Sequence, residues 1–184
     1  MSLTKWAHDL SESVLAEPLP RRWAHVQGVA RRARELRPIL PEADADLLEA
    51  AAFLHDIGYA PKLVDTGFHP LDGARFLRKE HADERVVNLV AHHSCALLEA
   101  EERGLRHDLE AEFQLECSEL VDALVYCDMT TTPDGTPTDS EARVGEIVNR
   151  YGPDTLVGRF IQRAAPEIHA ATSRVRAQLQ AARS

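Results

Sequence analysis

The sequence predicts an all-α fold, a helical bundle formed by a single domain over residues 1–184, and three observations carry that expectation. Apolar residues recur at steps of three and four along most of the chain. Proline, glycine and capping residues punctuate it at intervals of one helix length. No segment shows the period-two alternation of a half-buried strand, and no repeat or low-complexity linker divides the chain. At 184 residues and 44% hydrophobic, the chain is long and apolar enough to bury a substantial core.

Ser2 caps a first helix whose apolar positions are Leu3, Trp6, Leu10 and Val14, and Pro18 and Pro20 end it. A second helix runs from about Arg21 to Arg37. Trp23, Val26, Ala30, Ala33 and Leu36 form its inner face, and Arg31, Arg32 and Arg34 its solvated side. Pro38 and Pro41 break the chain again. Asp44 or Asp46 then caps a helix that is apolar almost all round, from Leu47 to Leu54, which places it at the centre of the bundle. Gly58 stops it, and a loop follows from Tyr59 to Phe68. Pro70 suits the first position of a helix reaching about His81. Asp83 caps the next, which carries Val86 to His93 and runs on to Gly104. Another spans about Glu112 to Met129, a loop covers Thr130 to Thr138, and Asp139 or Ser140 caps a helix ending at Gly152. The segment from Asp154 is helical, with Pro166 as a break or kink.

The formal charge is −9 and no dense block of lysine and arginine appears. That disfavours a nucleic-acid backbone binder, which would show a basic stripe. A small phosphorylated substrate remains compatible, because a bound cation reverses the local field. Cys95, Cys117 and Cys127 lack CxxC spacing and read as reduced thiols of a cytoplasmic protein. No signal-peptide apolar run and no membrane-spanning run is expected.

Six positions carry chemistry: His25, the pair His55-Asp56, His69, His92 or His93, and Asp128. Each falls on or beside a predicted helix, mostly near its end. A histidine and an aspartate at the end of a buried helix are costly unless a cation or a hydrogen-bond network compensates them. Helical bundles build metal sites from side chains on facing helices. Imidazole with carboxylate suits one or two divalent ions of iron, manganese, cobalt, nickel or zinc. The lack of cysteine ligands argues against a structural zinc knot. A neutral imidazole holds a metal without cancelling its charge, so bound water stays acidic. Asp56 directly follows a histidine and has two oxygens, so it can bridge ions about 3.5–4 Å apart. Asp56 and His55 are therefore the catalytic candidates. Arg22, Lys62 and Arg75 are candidates to touch substrate phosphate, and Thr131 to hydrogen-bond a ligand; each also reads as a surface charge or a helix-end cap.

The order His25, His55-Asp56, Asp128 resembles the H…HD…D signature of the HD-domain metal-dependent phosphohydrolases. Leu54-His55-Asp56-Ile57-Gly58 matches the HDIG form of that motif. His69-Pro70, Gly73-Ala74 and His92-His93 look like the additional histidines of the di-metal enzymes of that family. Those enzymes include cyclic-dinucleotide phosphodiesterases and bacterial diadenosine tetraphosphate hydrolases. The resemblance covers about residues 21–132 and leaves 139–184 outside. It implies an all-helical fold and hydrolysis of phosphate esters, usually of nucleotides. By motif position, His25, His55, Asp56 and Asp128 hold one metal, and Asp56, His69, His92 and, beside it, His93 a second. Neighbours on a helix point about 100° apart, which leaves one of the two free to face substrate. Two departures disfavour cyclic di-GMP: Tyr59 stands where those enzymes often have lysine, and Ser94-Cys95-Ala96 replaces their HHE…GYP stretch. The alternative is a non-catalytic sensor in which the same site binds a metal and a nucleotide and reports to a partner.

Overall fold

The structure, a computed structural model, describes residues 1–183. Its helices are α1 (Leu3–Leu15), α2 (Pro20–Glu35), α3 (Glu42–Leu54), α4 (His69–Lys79), α5 (Glu84–Ala91), α6 (Ala96–Arg103), α7 (Arg106–Glu112), α8 (Ser118–Met129), α9 (Ser140–Tyr151) and α10 (Leu156–Ala182). Short 3-10 turns lie at Arg37–Ile39, Ile57–Tyr59, Pro61–Leu63 and His93–Cys95. The described residues form no β-strand, only an isolated bridge between Thr131 and Pro137. The fold is therefore all-α, as the apolar periodicity requires.

The helix that is apolar all round is the central one. α3 packs against α1, α2, α5 and α8, and every residue from Leu47 to Leu54 is buried. Small side chains at Ala50, Ala51 and Ala52 let those neighbours approach. Leu48 and Leu54 are fully buried, each contributing about 1.5–3 kcal/mol of transfer free energy. The buried Glu49 carboxylate is paired with Arg34 Nε at 2.7 Å. Ser11 Oγ donates to the Phe53 carbonyl at 2.7 Å, satisfying one of the open acceptors at the end of α3. A second apolar cluster joins α8, α9 and α10 through Val125, Met129, Ile147, Phe160 and Ile161.

Several boundaries differ from the sequence expectation, each for a physical reason. Pro20 opens α2 rather than closing α1, at a position where its missing N–H costs nothing. Neither Asp44 nor Asp46 caps α3; Pro41 holds that position, and Asp44 lies inside the first turn, where its charge favours the helix N-terminus. The segment 59–68 opens on the last residue of one 3-10 turn, Ile57–Tyr59, and contains a second, Pro61–Leu63, rather than being plain loop. The helix expected to reach Gly104 breaks after Ala91, where Ser94 (φ 47°) and Cys95 (φ 61°) adopt left-handed backbone. The helix expected from Glu112 begins only at Ser118. Residues 113–117 are held by partners on α5 instead: Gln114 N–H donates to Asn88 Oδ1 at 3.2 Å, and Arg85 binds Glu116 at 2.7 Å. Pro166 does not break α10, which runs through it as one helix of 27 residues.

Two close approaches bring distant helix ends together. A Cβ on Gly58 would lie 2.1 Å from the His69 carbonyl oxygen and 2.7 Å from Gly73 N, so only glycine lets the turn after α3 press on the start of α4. A Cβ on Gly28 would lie 2.5 Å from the Gly135 carbonyl oxygen, so α2 likewise presses on the loop after α8. The first contact sets His69 against Asp56; the second sets His25 against Asp128 and Thr132.

Candidate metal centre

The end of α3 delivers two side chains into the core. His55 is the last residue with helical backbone, and Asp56 follows at φ −100° and ψ 8°. Both are buried. His25 reaches them from the second turn of α2, Asp128 from the last turn of α8, His69 from the first residue of α4, and His93 from the break after α5. Ligand-type atoms of His25, His55 and Asp128 lie within 4.8 Å of one another, and so do those of Asp56, His69 and His93.

Asp56 divides its two oxygens between these groups. Its Oδ2 is 3.4 Å from His55 Nε2 and 3.8 Å from His25 Nε2. Its Oδ1 is 3.4 Å from His69 Nε2 and 3.9 Å from His93 Nε2. Asp128 Oδ1 is 3.1 Å from His25 Nε2 and 3.8 Å from His55 Nε2, and Ser94 Oγ donates to its other oxygen.

The backbone fixes which nitrogens face inward. A carbonyl oxygen only accepts, so Nδ1 must donate in His25 to Thr132 (2.9 Å), in His55 to Ala52 (2.9 Å) and in His93 to Val90 (2.6 Å). Each ring therefore turns Nε2 to the centre, where that of His93 lies 3.1 Å from His69 Nε2, and the backbone bond on Nδ1 is the usual outer hydrogen bond of a metal-bound histidine. His25 Nε2 and Asp128 Oδ1 then face each other at 3.1 Å as two acceptors, which demands a cation between them, a proton or a metal ion. His55 Nε2 is buried with no hydrogen-bond partner at all. An orphaned buried acceptor costs about 1–3 kcal/mol, which a metal ion would relieve. The donor set of imidazole and carboxylate fits a divalent transition metal.

The electrostatics match. Burial alone would raise the Asp56 carboxyl, but the Arg22 guanidinium beside it holds it well below the usual carboxylate range. Asp128 is likewise held low against burial, chiefly by its pairing with His25, which needs a proton between the two facing atoms. Burial pushes His69 and His93 below the ordinary imidazole value. At neutral pH the carboxylates are ionised and these two rings neutral, the forms a metal binds.

Around the centre lies a cleft of about 210 Å³. Arg22 enters it with Nη1 2.6 Å from Asp56 Oδ2. The guanidinium sits 3.9 Å over the Tyr59 ring, and Tyr59 in turn stacks on His69 at 3.9 Å, so cation, phenol and imidazole form one column. Burial raises the Tyr59 phenol far above its ordinary value, so it stays protonated. Asp72, buried in α4, accepts from Asp65 N (3.0 Å), Thr66 Oγ1 (2.8 Å) and Gly67 N (3.1 Å), and so ties down the loop that leads into His69.

Not every sequence candidate arrives. His92 joins neither group: its Nε2 donates to the Phe113 carbonyl at 3.0 Å, and His93 takes the inward place. Arg75 is engaged with Glu112 at 2.9 Å and does not line the cleft. Lys62 is exposed and outside it too. Thr131 Oγ1 donates back to the Cys127 carbonyl at 2.7 Å, a helix-end bond. Missed by sequence reasoning were Arg103, Arg143 and Arg150, which line the cleft from α6 and α9, and the apolar wall of Ile147, Val157 and Phe160. No spacing signal marks these residues, because α9 and α10 reach the site only through tertiary packing.

The HD domain model matches residues 22–147. The chain is 35% identical over 78 residues to the tRNA (cytidine(56)-2′-O)-methyltransferase of Picrophilus torridus, a match spanning 42% of this chain and 22% of that protein. It is 43% identical over 60 residues to the enzyme of the same name from Thermoplasma volcanium, spanning 33% of this chain and 17% of that protein. The chain thus covers about a fifth of the length of the curated relatives it matches. No solved structure matches it.

Proposed function

We propose, because the chain belongs to the HD-domain family, that it is a metal-dependent phosphohydrolase acting on a small phosphate ester, a nucleotide or a related compound. One observation carries this reading: Asp56 turns one oxygen to each of two buried groups of metal-ligand atoms. His25, His55, Asp56 and Asp128 would hold one ion, and Asp56, His69 and His93 a second. When bound, such ions supply the Lewis acid that polarises phosphoryl oxygens and a water acidic enough to attack phosphorus.

The chain's own residues do the rest. The carbonyls of Thr132, Ala52 and Val90 lock the imidazoles with Nε2 inward. Ser94 fixes the rotation of Asp128. Asp56 orients the attacking water, and its depressed pKa keeps it an acceptor throughout. Arg22, held over the Tyr59 ring, is placed to neutralise charge growing on the phosphoryl oxygens. The apolar wall of Ile147, Val157 and Phe160 lowers the local dielectric, which strengthens each of these interactions.

No methyl transfer is inferred from the two relatives, since so little of their length is shared. The acidic balance of −9 favours a small substrate over a nucleic-acid backbone. Among the described residues no helix is long and apolar enough to cross a membrane.

The test is purified protein loaded in turn with manganese, iron, cobalt and nickel, assayed against nucleoside phosphates, dinucleotides and an aryl phosphate. Turnover with at least one metal, abolished by chelation, is expected. Intact metal binding without product from any substrate would sink the hydrolase reading. Thermal stabilisation by nucleotide in that case would favour the sensor.

A further inference from the structure

A second cavity of about 270 Å³ adjoins the cleft, and Arg22, His25, Arg143 and Arg150 line both. Arg21 joins them in the second cavity, so four of its nine lining residues are arginine and none is acidic. In a chain of net charge −9 this is a marked local reversal.

The neutralising partners are too few. Arg143 and Arg150 share one carboxylate, Glu146, with Arg150 Nε 3.2 Å from it. Arg22 has Asp56, which the proposed metal ions would also claim. Arg21 is satisfied by Asp134 at 2.7 Å. Arg143 is the most telling: its side chain is only 6% exposed, and its buried Nε has no hydrogen-bond partner. A buried guanidinium short of acceptors costs free energy unless an anion completes its shell.

We infer that Arg143 and Arg150, with Arg22 standing between them and the metal centre and shared by both, form a second anion subsite, which holds a further phosphate of the substrate while the centre holds the scissile one. The ligand class is a bisphosphate or oligophosphate ester. α9 supplies two of the three arginines, which gives the segment beyond residue 132 a role in specificity. This deepens the phosphohydrolase reading and rests on it.

The test is calorimetry on the manganese-loaded protein. The probes are butyl and hexyl phosphate against butane-1,4-diol and hexane-1,6-diol bisphosphate, each pair differing by the second phosphate. At one length or both, the bisphosphate is expected to bind about tenfold more tightly or better, the scale of a charge-assisted hydrogen bond. Arg150→Gln, at a third-exposed position, and Arg143→Lys, which keeps the buried charge, are each expected to cut that ratio to about threefold or less. Monophosphates that bind with a ratio near one at both lengths would overturn the subsite alone, as would a ratio that survives both substitutions. Failure of every monophosphate to bind, with metal in place, would overturn the phosphohydrolase reading and the subsite with it.

Discussion

Asp56→Asn is expected to lower phosphate-ester turnover by about 10³-fold, read as kcat in a metal-saturated assay. The carboxylate is the one group facing both ligand clusters, with oxygens 3.4 Å from His55 Nε2 and 3.4 Å from His69 Nε2. An amide presents one oxygen and one NH₂, so it would turn a donor toward one cluster. Charge stabilisation by a bound metal is worth several kcal/mol, and each 1.4 kcal/mol is about a tenfold change in rate. Metal content should fall at the same time. Retention of full metal content together with wild-type kcat would contradict the bridging role.

Removal of bound metal is expected to cost stability as well as activity. The centre gathers two ionised carboxylates and four imidazoles, nearly all buried, and leaves His55 Nε2 without a partner. A ligand at about 1,000 times its Kd stabilises the folded state by about 4 kcal/mol. For a domain of this size that corresponds to roughly 8–16 °C in Tm, at about 2–4 °C per kcal/mol. Differential scanning calorimetry with and without chelator reads this directly. His55→Gln should keep only the part of that shift owed to the second ion, beside His69 and His93. A chelator-sensitive shift of full size in that variant would show the stabilising ion sitting elsewhere.

The central helix and the heart of the site were legible in the sequence because local rules agree there. Leu47 to Leu54 is apolar almost all round, Glu49 excepted, and the His55-Asp56 pair ends it where burial demands compensation. His25, His69 and Asp128 were found from their order and residue type. The His92-His93 pair could not be resolved in the same way. A regular helix through Ala91 would fix the two rings about 100° apart, but the chain leaves helical geometry at His92 (φ −110°, ψ 12°). Neither glycine nor proline marks that break; Ser94 and Cys95 take left-handed backbone without a sequence signal. The split before α8 was hidden for a related reason. Asn88 and Arg85 on α5 hold residues 114 and 116, a long-range effect that outweighs local periodicity. No sequence signal singles out Arg143, because its burial depends on α9 closing over the cleft.

On the proposed reading, catalysis and stability alike would depend on a metal ion held by the inward nitrogens of His25 and His55 and the oxygens of Asp56 and Asp128. A crystal of the purified protein, with data collected across the absorption edge of whichever metal it retains, tests this most directly. The expected result is an anomalous peak about 2.0–2.3 Å from those four side chains, with a second near His69, His93 and the other oxygen of Asp56. A well-ordered protein with no anomalous peak there after metal loading, and His55 Nε2 still without a partner, would contradict it.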